Sequence, residues 1–187
     1  MNKFMYVIMV IVITVGFTGC KNAKPYPETV KSWKSYKDVA NYMQSNFTFD
    51  TSRQLEFKRD LRKYKQNSDD MYNFTVSELS KKPIETYNSS SGFCGDSVVL
   101  INDALNKINP DYQAKTIFIE NGAGPTHHWV TGFYVDSKLY VMDYGAGEKW
   151  SEMIGTHGPY NSIDDYGNFL ESVNAKNFTF SSIRWRN

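Results

Sequence analysis

The 187-residue chain has only two cysteines, almost no net charge and no apolar run of full membrane-spanning length. Two cysteines exclude a disulfide-stapled scaffold and any metal site built from cysteine alone. With 21 Lys+Arg against 20 Asp+Glu the formal charge is +1, so no basic surplus exists to neutralise a phosphate backbone. Nucleic acid is therefore not an expected partner. The main apolar stretch, residues 4–15, falls short of the ~20 residues that a spanning helix needs. No internal repeat is present, and low complexity is confined to Asn88-Ser89-Ser90-Ser91. What the chain does have is apolar and aromatic. Hydrophobic residues are 41% and aromatics 16%, which argues against a disordered or coiled-coil chain. The length fits one domain, whose core can bury roughly two-thirds of the unfolded surface without staples.

At the N-terminus, Lys3 leads into the apolar run and then into Gly16-Phe17-Thr18-Gly19-Cys20. Charge, apolar segment and small residues in that order form a secretory signal. The ending Phe17-Thr18-Gly19-Cys20 resembles a bacterial lipobox, in which the cysteine is lipidated and begins the mature chain. The expectation is a signal peptide over residues 1–19, lipid attachment at Cys20, and an exported protein anchored to a bacterial membrane, facing outside the cytoplasm. An uncleaved anchor, or an ordinary signal with an incidental cysteine, is the alternative. Residues 20–32 carry two prolines and no apolar periodicity, as a tether should. Removing residues 1–19 takes away Lys3 alone and leaves 20 basic against 20 acidic side chains, so lipid rather than charge is expected to hold the protein at a membrane. Cys94 is then a lone thiol in an exported protein.

The domain is expected over residues 33–187. Its first part reads as helical, with Tyr36, Val39, Ala40 and Met43 spaced three and four apart. A charged stretch around Arg53–Tyr64 reads as a helix with a solvated basic face. Val98, Ile101, Leu105 and Ile108 follow helical spacing, and one step back lands on Cys94, so the thiol opens the helix on its buried stripe. Asn109-Pro110 ends that helix. Strands are predicted at Lys115–Glu120, His127–Val135, Leu139–Tyr144 and Phe178–Arg186, with Asp136-Ser137 as a tight hairpin turn. Helices first and antiparallel strands after them predict an α+β fold.

Ser91-Gly92-Phe93-Cys94-Gly95-Asp96 precedes the Cys94 helix. A cysteine in a first helical turn meets the positive end of the helix dipole, which favours thiolate over thiol. Gly92 and Gly95 are expected to let substrate backbone approach, and Asp96 to complement the dipole. A small buried hydrophobe is the plainer reading of Cys94 on its own. Thr126-His127-His128-Trp129 opens a strand, and Asp143 lies on the next one. A thiolate nucleophile needs a base, and that base needs an orienting carboxylate. Cys, His and Asp on a helix, a strand and the adjacent strand can supply all three.

These residues resemble the transglutaminase-like domain, a branch of the papain-like cysteine enzymes. The resemblance covers residues 33 to 143 and rests on Gly92-Phe93-Cys94-Gly95-Asp96, on His127-His128-Trp129, and on Tyr140-Val141-Met142-Asp143. It implies a core with the nucleophile at a helix N-terminus packed on an antiparallel sheet. It also implies Cys94 as nucleophile, His127 as general base and Asp143 as orienting group. Departures are Tyr144-Gly145 after the Asp, where Pro is frequent in the family, and Gly132 near a position that is often acidic.

Of the two histidines, strict alternation from an Asp136-Ser137 turn puts Asp143 on the face of His128. A β-bulge at the isolated Gly132 would flip the parity and select His127, which agrees with the motif; His128 is the reserve. His157 is expected in a loop without a metal-ligand companion. A Cys/His/Asp zinc site is the weaker reading of the three groups, and no cofactor is expected. Gly122-Ala123-Gly124 does not open a helix, so it is expected as a loop beside the site rather than a phosphate cradle. The implied reaction is acyl transfer on a peptide or glutamine-type carboxamide, with the Cys94 N–H as one oxyanion donor and Tyr87 or Asn88 as upstream candidates for the other. Hydrolysis is favoured over crosslinking, on a protein or peptide substrate that includes cell-wall peptide, by a monomer. The alternative is a membrane-tethered module of the same fold that binds such material without turning it over.

Overall fold

The computed structural model describes residues 24–67 and 76–186, without the side chains of residues 64–67. The expected signal peptide and Cys20 lie outside the described residues. Pro27 stands in the first turn of helix α1 (Tyr26–Ser32), where its missing N–H forfeits no hydrogen bond. Helix α2 (Tyr36–Asn46) is closed at its start by Asp38, whose carboxylate accepts the N–H groups of Lys34 (2.8 Å) and Ser35 (3.0 Å). Next come the two-residue strand β1 (Thr48–Phe49), helix α3 (Thr51–Asn67), a single turn α4 (Val76–Leu79), helix α5 (Pro83–Ser89) and strand β2 (Ser91–Gly92). Helix α6 (Cys94–Ile108) buries Cys94, Val98, Ile101 and Leu105 along the predicted stripe. Strands β3 (Lys115–Asn121), β4 (His128–Val135), β5 (Lys138–Asp143) and β6 (Gly155–Tyr160) follow. Helix α7 (Ile163–Ser172) and strand β7 (Phe180–Arg186) complete the chain.

The fold is α+β. Five antiparallel strands are ordered β6-β5-β4-β3-β7, while β1 and β2 form a separate parallel pair beside the start of α6. Alternation divides the side chains of the large sheet between two cores. On one face Phe133 and Met142 meet Ile101, Ala104 and Leu105 of α6, together with residues of α1 and α2. On the other face Ile117, Ile119, Val130, Leu139 and Val141 meet Tyr166 and Leu170 of α7. The hairpin turn is as expected: Asp136 and Ser137 both have positive φ (48° and 61°), and Val135 pairs with Lys138.

Three expectations are overturned. The tether does not run to residue 32, because Tyr26 and Val30 are buried and the Tyr26 hydroxyl donates to Asp103 of α6 (2.6 Å). Two apolar residues four apart are too few to register as periodicity. The segment around His157 is not a loop but edge strand β6, whose glycines and Pro159 hide any alternation; proline is tolerated at such an edge. Helix α7 then interrupts the strands. Its signal was Ser162, whose side chain caps the Asp165 N–H (3.2 Å), followed by Tyr166 and Leu170 at helical spacing. Among the described residues no helix is long and apolar enough to cross a membrane.

Candidate active site

Cys94 is the first residue of α6, so its N–H lies outside the intrahelical ladder. The loop that delivers it is pinned by Asp96. This buried carboxylate accepts the Lys81 N–H (2.8 Å) and the Phe93 N–H (3.2 Å), and the Arg53 Nε stands 3.4 Å away. Burial pushes the Asp96 carboxyl up, against the opposing pull of the Lys81 amide, Arg53 and the Phe93 amide. Gly92 and Gly95 are not open to substrate as expected. A Cβ on Gly92 would lie 2.6 Å from the Asp96 Cβ, and one on Gly95 would lie 2.6 Å from the Ser80 Oγ, so the protein itself fills both spaces.

The histidine beside Asp143 is His128, not His127. Pairing of β4 with β5 runs without a shift from Val135↔Lys138 through Gly132↔Val141 to Thr131↔Met142. The alternation therefore holds, and His128 Nε2 lies 2.6 Å from Asp143 Oδ2. Gly132 is not a bulge. A Cβ there would come within 2.5 Å of both Ile117 Cδ1 and the Trp185 ring, so glycine makes room for a tryptophan that reaches over from β7. His127 points elsewhere: its Nδ1 accepts the Asn121 N–H (3.2 Å), and its ring lies 5.4 Å from that of Phe118.

The Asp143 carboxylate is fully engaged. One oxygen meets His128, and the other accepts the Gly145 and Ala146 N–H groups, both at 3.1 Å. Cys94 stands near enough to the His128 ring to act on it, and together with Asp143 it favours the protonated imidazole. Asp143 takes Nε2, which leaves Nδ1 as the ring nitrogen that a thiol could use. Thiol and carboxylate thus both act on one buried imidazole. Burial alone would push the His128 ring down in pKa; the Asp143 charge and hydrogen bond, aided by Cys94, overcome this and raise it to about 10. Cys94 is 5% exposed, and His128 and Asp143 are each 1% exposed.

The roles of two residues at this site escaped sequence reasoning. Gly145 brings the end of β5 onto the start of α6, since a Cβ there would lie 2.3 Å from the Cys94 Cα. Trp150 sets its ring edge-on to His128, with centroids 5.4 Å apart, and donates its Nε1–H to the Lys176 carbonyl (3.2 Å). Their only trace in the sequence is a glycine standing shortly after Asp143. Of the upstream oxyanion candidates, Tyr87 is committed to the helical layer, bonding Thr29 (2.8 Å) and the Lys24 carbonyl (3.0 Å), and Asn88 is exposed on α5. His157 meets the Met153 carbonyl (2.8 Å) and packs on Phe169. Among the described residues no group of three or more His, Cys, Asp or Glu is arranged to hold a metal ion. Ala123 and Gly124 line a groove of about 1180 Å³ that reaches Tyr144, Ala146 and Trp150, neighbours of the site, while Cys94, His128 and Asp143 are not part of its walls.

The fold and site define an α+β protein with a buried His–Asp pair and a cysteine at a neighbouring helix start. No family model matches the chain, and no curated protein matches it. A crystal structure of a TGase is similar over 70% of this chain, with 16% identity and a TM-score of 0.34. This chain spans 33% of that protein's length. The structure of EGTA-treated LapG from Legionella pneumophila is similar over 69% of this chain and 75% of its own, with 15% identity and a TM-score of 0.31.

Proposed function

We propose that the chain is a transglutaminase-like cysteine enzyme that transfers acyl groups from peptide or glutamine-type carboxamides through Cys94, His128 and Asp143. The observation that carries this is the buried 2.6 Å His128–Asp143 contact, with Cys94 at the start of α6 near enough to influence the same ring. The sulfur attacks the carbonyl carbon, and the oxyanion is met by the Cys94 N–H at the positive end of α6. His128, held protonated by Asp143, gives its proton to the leaving amine or ammonia as the C–N bond breaks and a thioester forms. His128 then takes a proton from water, whose oxygen attacks the thioester as the C–S bond breaks, releasing the acid and restoring the thiolate beside a protonated His128. Hydrolysis is favoured because the adjoining groove is wide and partly polar, with Lys, Gln and Asn side chains on its walls.

Iodoacetamide tests the reading. Cys94 should alkylate fast near pH 6, His128→Ala should abolish that speed, and His127→Ala should retain it. Slow alkylation that is indifferent to His128 would sink it. Peptide libraries, incubated with and without a primary amine, separate hydrolysis from crosslinking by the mass of the product. The near-complete burial of Cys94 favours one other reading, a module that binds peptide without turnover, and slow alkylation is its signature. Export with lipid on Cys20 belongs to the same proposal. Mass spectrometry of the mature N-terminus tests it, since an unmodified Cys20 would refute lipidation.

A further inference from the structure

The groove beside the site has a charge that the whole chain lacks. Lys58 comes from α3, Lys149 from the 3-10 segment Glu148–Met153, and Lys176 from the loop before β7; all three line it, and Glu148 is the acidic residue among its walls. None of the three lysines makes an ion pair among the described residues. Lys58 reaches the Thr126 hydroxyl (3.3 Å), two residues before His128, and the Lys176 carbonyl holds the Trp150 indole. The Lys58 cation is thus tied close to the candidate catalytic histidine, and the Lys176 backbone holds the tryptophan that meets it. Phe49 and Trp150 add aromatic wall between them. A chain of net charge +1 has no general basic field, so three lysines converging from three elements are a local feature. A cleft lined by one sign of charge concentrates the opposite charge within it.

We propose that this groove binds an acidic peptide segment carrying an apolar side chain, selected by Lys58, Lys149 and Lys176. Its use as a substrate site rests on the acyl-transfer reading above, whereas the binding does not. An acidic peptide fits better than a nucleic acid because the positive charge is small and the neighbouring site suits a carboxamide.

The test is fluorescence anisotropy with two labelled decapeptides that share a central Gln and Phe, one flanked by Asp and Glu, the other by Asn and Gln. The full-length protein carries Cys94→Ala so that turnover cannot alter the probe. The acidic peptide should bind roughly tenfold more tightly than the neutral one, about 1.4 kcal/mol. Changing all three lysines to Gln should remove that preference, and changing them to Arg should keep it. Raising salt from about 50 to about 500 mM should weaken the acidic peptide more than the neutral one. Equal affinities, a preference that survives the Gln variant, or displacement by an oligonucleotide at lower concentration than by acidic peptide would overturn the proposal. If circular dichroism shows that the Gln variant is unfolded, the Arg variant and the salt series still decide. Alkylation of Cys94 in the wild-type protein is read separately, so failure of the enzyme reading and failure of the groove proposal are distinguishable.

Discussion

Replacing Gly145 by Ala should separate the two halves of the candidate active site. The added Cβ would lie 2.3 Å from the Cys94 Cα, 2.5 Å from the Ser97 Oγ and 2.9 Å from the Cys94 N. Carbon atoms in good contact stand about 3.5–4.0 Å apart, so the shortfall at Cys94 is roughly 1.2–1.7 Å. Two of the three atoms are backbone, and no rotamer change relieves them. The end of β5 must move from the start of α6, carrying Asp143 and its partner His128 away from the thiol. A displacement of about 1 Å at reacting groups costs on the order of a hundredfold in rate. Overpacking of this kind costs about 1–3 kcal/mol, with roughly 2–4 °C of Tm for each kcal/mol in a domain of this size. The assay pairs the iodoacetamide rate at Cys94 with a thermal melt. Gly124→Ala is the control, because nothing lies within 4 Å of its Cβ position, and it should leave the melt unchanged. Adding Ser97→Ala to Gly145→Ala should rescue little, since the closest clash is with backbone. A Gly145→Ala protein with the wild-type alkylation rate and Tm would refute the reasoning.

His128 has a raised pKa in the folded protein, so it contributes stability that is present below about pH 6.5 and is lost as pH rises through about 10. The Tm advantage of wild type over His128→Gln should therefore shrink across that window, and a constant gap would contradict it. Gly132→Val should cost about 1–3 kcal/mol by chemical denaturation, because its side chain would meet Ile117 and Trp185, and Trp185→Leu should recover part of the loss. Arg53→Met should destabilise by about 3 kcal/mol, because it leaves Asp96 buried without its cation; a loss near zero in a urea melt would mean that the two backbone amides suffice.

Much of the fold was legible in local pattern. The stripe from Cys94 to Leu105, the strands on either side of Asp136-Ser137 and the turn itself depend on neighbours three, four or two residues apart. The same local logic placed Cys94 at a helix start and Asp143 at a strand end. Helix α1 and strand β6 were not legible. One contributes two buried residues to a core that others build, and the other is held at a sheet edge by its partner rather than by its own alternation.

The choice of histidine shows where sequence reasoning stops. Alternation from the hairpin pointed to His128, and Gly132 was then read as a bulge that reversed it. That glycine answers a different need, room for Trp185 far along the chain, and no local pattern contains this information. Gly145 is the same case, since its reason is the backbone of Cys94 across the sheet–helix junction. The sequence alone determined the types of the central elements, the place of Cys94 at a helix start and the chemical types of the candidate site. Tertiary structure alone decided which imidazole meets the carboxylate, what each glycine makes room for, and that three lysines share one groove. Periodicity reports contacts along the chain, whereas these depend on atoms that only folding brings within a few ångströms.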